Sequence, residues 1–225
     1  GGGSTPAPTT SGRPCTVAPT RDKTRIVARE RVRSTRGHSG RITRMSMPAG
    51  FFVHGVRWGS GRDPRRPDLA LSVADRDCAA AGVTTMNRVA AAPVLLSRAR
   101  LRSGRARAVL INSGSANACT GAAGLAAARE TSSAVADAWG IASAGVLVAS
   151  TGVIGKPLPV KAIVAGVGQL HRAWRAGRDD PRQAARAIMT TDTVPKIAFA
   201  TVRLHGGAAR VWGMAKGSGM IAPNM

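Results

Sequence analysis

With 225 residues, 44 % of them apolar, the chain is long enough to bury a core, which excludes disorder throughout and allows one large domain or two small ones. A net charge of +22 invites a nucleic-acid reading, but the basic residues are nearly all Arg, run the whole length, and stand beside three Phe, four Trp and no Tyr. The aromatic platform that stacks on single strands is therefore missing; non-specific affinity for polyanions is expected, and no specific nucleic-acid partner.

Residues 1–44 are Gly, Pro, Ser, Thr and Arg with hardly any large apolar side chain, too little to offset ordering entropy, and are expected to form a disordered basic tail or leader. Globular texture begins near Met45 and Met47 and is expected to continue as a single domain over 45–225. Cys15, Cys78 and Cys119 have neither the number nor the spacing of a disulfide framework or a zinc site. The apolar stretches around Ala90–Leu96 and Gly145–Ile154 are too short to cross a bilayer, and the opening decapeptide lacks the apolar run of a secretory signal. A cytoplasmic location without membrane contact is expected.

From Met47, short apolar runs alternate with helical patterns, which predicts mixed α and β structure. Leu69–Val73 and Arg107–Asn112 read as strands, the second stopping at Ser113-Gly114-Ser115. Ala122–Trp139 reads as a helix closed by Gly140, and Gly145–Ser150 as a buried strand. Thr151-Gly152-Val153-Ile154-Gly155 then forms a predicted turn at that strand's carboxyl end, where α/β folds hold ligands. Pro159–Ala176 carries Ile163, Val167, Leu170 and Trp174 at the spacing of one helical face, a core stripe. Asp179-Asp180-Pro181 opens a helix running to about Met189. Lys196–Leu204, a Gly206-Gly207 turn and Ala208–Met214 read as a hairpin that delivers Lys216 to its end. The four His residues stand singly, with no metal-ligand spacing and no Ser or Cys partner.

Several segments, in order, carry a resemblance: Pro48-Ala-Gly-Phe51, Asp68-Leu-Ala-Leu71, Ala81–Thr85 with Asn87-Arg88-Val89, Ala91-Ala-Pro-Val94, Asn112–Gly121, Ser150–Gly155, Ala187–Thr193 and Ala215–Met225. Together they resemble the ornithine acetyltransferase / glutamate N-acetyltransferase family over about Pro48–Met225, and ordered matches are far more specific than one Gly-rich loop. The resemblance implies an α/β fold of the four-layer αββα-like sandwich type, shared with self-cleaving aminopeptidases and completed by a β chain. It implies a precursor that cuts itself at an Ala–Thr bond just after Met225, giving an α2β2 heterotetramer whose freed Thr is the nucleophile. The activity implied is acetyl transfer from N2-acetyl-L-ornithine to L-glutamate through an acetyl-threonine, needing no cofactor; acetyl-CoA as a further acetyl donor stays open.

In that family's pattern Thr151 and Gly152 match the oxyanion pair, and Thr190 and Lys216 match positions that contact substrate. The chemical sense is that fixed donors must face the charge of each tetrahedral intermediate, and that one ammonium could hold the α-carboxylate common to both amino acids. Plainer readings stand beside these: a strand-end turn for Thr151-Gly152, turn chemistry for Thr190, a solvated side chain for Lys216. Asn112 and Asn117, flanking a Ser/Gly turn, are candidates for ordering the site. The stretch 55–67, with Arg57, Arg62, Arg65 and Arg66, is more basic than the family pattern leads one to expect. A self-cleaving aminopeptidase, a basic binding module and a fragment inactive without its partner are the alternatives.

Overall fold

The computed structural model describes residues 47–59, 65–219 and 225. The expected tail over 1–44 and its boundary, Arg62, and the segment 220–224 lie outside the described residues.

Four strands form the main sheet in the order β1 (Phe51–Val56), β2 (Leu69–Ala79), β3 (Arg105–Ser115), β4 (Val146–Val153). The first two pairings are antiparallel and β3 runs parallel to β4. A parallel return needs a crossover, and α2 (Gly121–Trp139) provides it. Gly140 closes that helix as expected, at φ 60° and ψ 42° with its N–H turned back to Ala136 and Asp137 carbonyls. Period-two alternation along β2 sends Leu69, Leu71 and Val73 to one face and Ala70 to the other, so each face carries its own core.

On the first face, α1 (Ala92–Leu101), α2 and α3 (Val160–Arg175) pack through Leu96, Val135, Ile163, Val167 and Leu170 onto Leu69, Leu71 and Leu110. The core stripe predicted along α3 holds for three of its four members: Ile163, Val167 and Leu170 are at most 2 % exposed, whereas Trp174 is 39 % exposed. In the last turn of α3, Trp174 tilts against Trp139 at the end of α2, 5.7 Å away, and against His171.

The opposite face is covered by α4 (Pro181–Ala187), whose Ala184 and Ala187, with Ile188 beyond it, pack on Val53 and Ala70. The expected start is present: Asp180 caps the helix by accepting from the Gln183 N–H at 3.0 Å, and Pro181 follows where its missing N–H is harmless. The helix ends at Ala187, short of Met189. Beyond it, β5 (Lys196–Leu204) and β6 (Gly207–Ala215) form the expected hairpin, with its turn at His205-Gly206 and not at Gly206-Gly207 because Gly207 pairs with Leu204 in the ladder, and Trp212 and Met214 seat it on the second core.

The chain is thus of mixed α/β class: a helical layer, a four-stranded sheet, then α4 with a second, two-stranded sheet. Among the described residues no helix is long and apolar enough to cross a membrane.

Candidate functional site

The carboxyl ends of β3 and β4 lie side by side because their ladder continues further than the sequence suggests. Ser113 pairs with Thr151 and Gly114 with Gly152, so Ser113-Gly114-Ser115 and Thr151-Gly152-Val153 are strand, not turn. The correction has a physical reason: these small residues give no hydrophobic alternation, but each supplies the other strand with ladder partners. Gly152, at φ +135°, tolerates no side chain, since a Cβ would come within 2.6 Å of the Gly114 carbonyl oxygen and 2.7 Å of the Ser115 nitrogen. Thr151 is half-buried beside it.

Buried polar side chains fix this end. Asn112 donates from Nδ2 to the Ser115 carbonyl at 2.9 Å and accepts at Oδ1 from the Ser150 hydroxyl at 2.6 Å, bridging the two strands. Asn117, fully buried at φ 47°, donates to the Gly124 carbonyl and accepts from the Thr120 hydroxyl, locking the turn into α2. Val153 accepts from the Ala116 N–H and Ala118 from the Gly155 N–H, both within 2.9 Å, which ties the two exits together. A backbone held in this way can present dipoles to a developing negative charge without reorganising.

A second group forms where α4 leads out of the fold and β6 ends. Thr190 is half-buried, and Lys216, directly after β6, is half-buried and donates from Nζ to the Gly217 carbonyl at 2.7 Å. Asp192 lies between them with its side chain 2 % exposed. Its carboxylate accepts from the Thr190 N–H (3.3 Å), the Gly217 N–H (2.7 Å) and Lys196 Nζ (2.6 Å). The Lys196 bond, reinforced by the two backbone N–H groups, outweighs burial and holds the Asp192 carboxyl well below the usual carboxylate range. Arg66 reaches the same turn from the other side, donating to the Met189 and Thr190 carbonyls. A cavity of about 350 Å³ lined by Asp75, Arg107, Trp139 and Trp174 lies instead near the amino end of β3.

A family model described as the ArgJ family matches residues 52–225. The chain belongs to the ArgJ family. The arginine biosynthesis bifunctional protein ArgJ of Geobacter sulfurreducens is 50 % identical over 164 residues, which cover 73 % of this chain and 41 % of that protein. This chain spans less than half the length of the curated relatives it matches. Among solved structures, it is similar to the Mycobacterium tuberculosis ornithine acetyltransferase complexed with ornithine, with a TM-score of 0.72 and 46 % identity over 80 % of this chain and 94 % of that one. It is also similar to the arginine biosynthesis bifunctional protein ArgJ of Bacillus halodurans, with a TM-score of 0.71 and 36 % identity over 79 % of this chain and 91 % of that one.

In this ArgJ-family chain the four sequence-derived site residues fall into the two groups just described. Thr151 and Gly152 stand together at the β3–β4 end; Thr190 and Lys216 are brought together through Asp192. Hydrogen bonds among the described residues run within each group and not between them. Two participants were missed in the sequence, Asp192 and Arg66. The first was visible only as the acid of Thr190-Thr-Asp-Thr193; the second belongs to the basic stretch 55–67, part of which now proves to grip the Thr190 turn.

Proposed function

We propose that this chain is the amino-terminal part of an acetyltransferase that moves acetyl from N2-acetyl-L-ornithine to L-glutamate. In this reading Thr151 and Gly152 stabilise the oxyanion, Thr190 and Lys216 contact substrate, and a threonine beyond the chain's carboxyl end is the nucleophile. The threonine hydroxyl attacks the acetyl carbonyl of the donor; its proton passes to the departing amine of ornithine, and the acetyl group remains as an ester. The glutamate amine then attacks that ester, losing a proton as the threonine oxygen regains one. A hydroxyl is a weak nucleophile at neutral pH, and the α-amino group of an amino-terminal threonine, with an ordinary pKa near ~8, is the nearby base.

The observation that carries the reading is the close approach of Gly114 and Gly152, which makes Thr151-Gly152 a rigid feature at the carboxyl end of a parallel strand pair. Likeness to an enzyme solved with ornithine supports the substrate class. We further propose that the remaining length of the protein, as a β chain in an α2β2 assembly, completes both the site and the sandwich. The transferase needs no bound cofactor here, and acetyl-CoA is a second donor to be assayed.

Full-length protein supplied with labelled N-acetylornithine and glutamate should transfer label with ping-pong kinetics and should not hydrolyse peptide amides. Peptide hydrolysis without acetyl transfer would overturn the reading in favour of an aminopeptidase.

A further inference from the structure

We propose that Asp192 is a positioning residue that fixes Lys216 against Thr190 and so sets the seat for the substrate α-carboxylate; this rests on the acetyl-transfer reading of the site. Its two oxygens divide the work. Oδ2 takes the Thr190 N–H, while Oδ1 takes the Gly217 N–H, the residue after Lys216. Asp192 and Gly217 are 25 residues apart, and the chain between them contains the β5–β6 hairpin. Trp212 and Met214 seat the hairpin on the second core, but Lys216 lies just beyond β6, and among the described residues it is the carboxylate that ties its segment to the Thr190 turn.

Lys196 makes the arrangement compatible with an anionic ligand. By donating to Asp192 Oδ1 it neutralises a buried charge that would otherwise repel an incoming carboxylate or draw Lys216 onto itself. Lys216 instead bonds only the neighbouring Gly217 carbonyl among the described residues, leaving two of the three ammonium protons for a ligand. The approach at 217 is close: a Cβ there would lie 2.8 Å from Asp192 Oδ1, so the carboxylate would have to shift to admit one. The ligand class that fits is an α-amino acid carboxylate, shared by donor and acceptor.

The test uses the full-length enzyme, with N2-acetyl-L-ornithine and L-glutamate, and with N-acetyl-1,4-diaminobutane as a donor lacking the α-carboxylate. Asp192→Asn should raise KM for both amino acids by a similar factor, ~tenfold from the loss of charge-assisted hydrogen bonds, while kcat changes less. The diaminobutane donor should show no such penalty. An equal penalty on the carboxylate-free donor, or lower thermal stability with unchanged KM, would overturn the proposal. Should Asp192→Asn fail to fold, Gly217→Ala disturbs the same contact with the carboxylate intact, and the same carboxylate-selective penalty is expected; a uniform one counts against it. Wild-type enzyme that transfers no acetyl group would overturn the reading of the whole site and Asp192's role with it, whereas normal wild-type transfer with a carboxylate-independent defect would remove Asp192 alone.

Discussion

Burial acts on Asp192 and His54 with different outcomes because their partners differ. Three donors outweigh desolvation at Asp192 and keep it ionised; at His54 desolvation outweighs the attraction of Asp180 and Asp179, and the imidazole is held below its ordinary value of 6.5. Its buried Nδ1 has no hydrogen-bond partner among the described residues, and the ring stacks beside Phe52. For a base with a depressed folded pKa, the unfolded chain binds more protons as pH drops below 6.5, so stability falls there and levels off once the folded form titrates. Denaturant titrations across that range should show this loss, and His54→Phe, which keeps an aromatic ring and removes the charge, should flatten it; an unchanged slope would assign the loss to other groups. The sequence presents both residues without this context. The donors on Asp192 include one 25 residues away, and Arg66 finds the Thr190 carbonyl across 124. No local pattern records such pairings, whereas the capping role of Asp180 was legible because its partner is three residues on.

Elements were legible wherever apolar periodicity is strong, as in α2, α3 and the β5–β6 hairpin. They were misjudged where small polar residues take over, as at the ends of β3 and β4, whose extension comes from pairing with each other. One glycine links element packing to the site. Gly55 on β1 lets α4 lie against the strand, since a Cβ would come within 2.7 Å of the Ala184 nitrogen, and the Asp180 N–H bonds Val53 at 2.9 Å in the same place. Gly55→Val should therefore cost about 1–3 kcal/mol of stability through overpacking. Because α4 leads directly to Thr190, it should also raise KM for the amino-acid substrates; stability loss in denaturant melts with no change in KM would separate α4 from the site.

At the scale of the molecule, among the described residues the second sheet is covered only in part and on one face, through Trp212 and Met214, while Phe199 on that same side is 58 % exposed. Cross-strand register puts Ile197, Phe199, Trp212 and Met214 on the side that meets the second core, and Ala198, Ala200, Val202, Leu204, Ala209 and Val211 on the other. Val202, Leu204 and Val211 are 44–57 % exposed, an apolar surface of the kind that monomers rarely leave bare. The αββα-like architecture was implied by the resemblance, and the proposal that the rest of the protein completes the sandwich predicts that this face is covered. Light scattering on residues 45–225 produced alone should reveal self-association that Val211→Lys reduces, and the same substitution in the full-length protein should impair assembly. A monodisperse fragment unaffected by the substitution would mean that this face needs no cover.

In the proposed acyl transfer, the rigid Thr151-Gly152 strand end stabilises the oxyanion in both half-reactions. Single-turnover acetylation of full-length enzyme by N-acetylornithine, followed by mass spectrometry, with deacetylation by glutamate measured in a second mixing step, tests it directly for Thr151→Ala. Thr151→Ala keeps the backbone and removes the hydroxyl, and loss of that hydroxyl as an oxyanion donor should slow both half-reactions by roughly 10²–10³-fold with substrate affinity nearly unchanged. Unaltered rates in either half-reaction, or a defect confined to affinity, would contradict it.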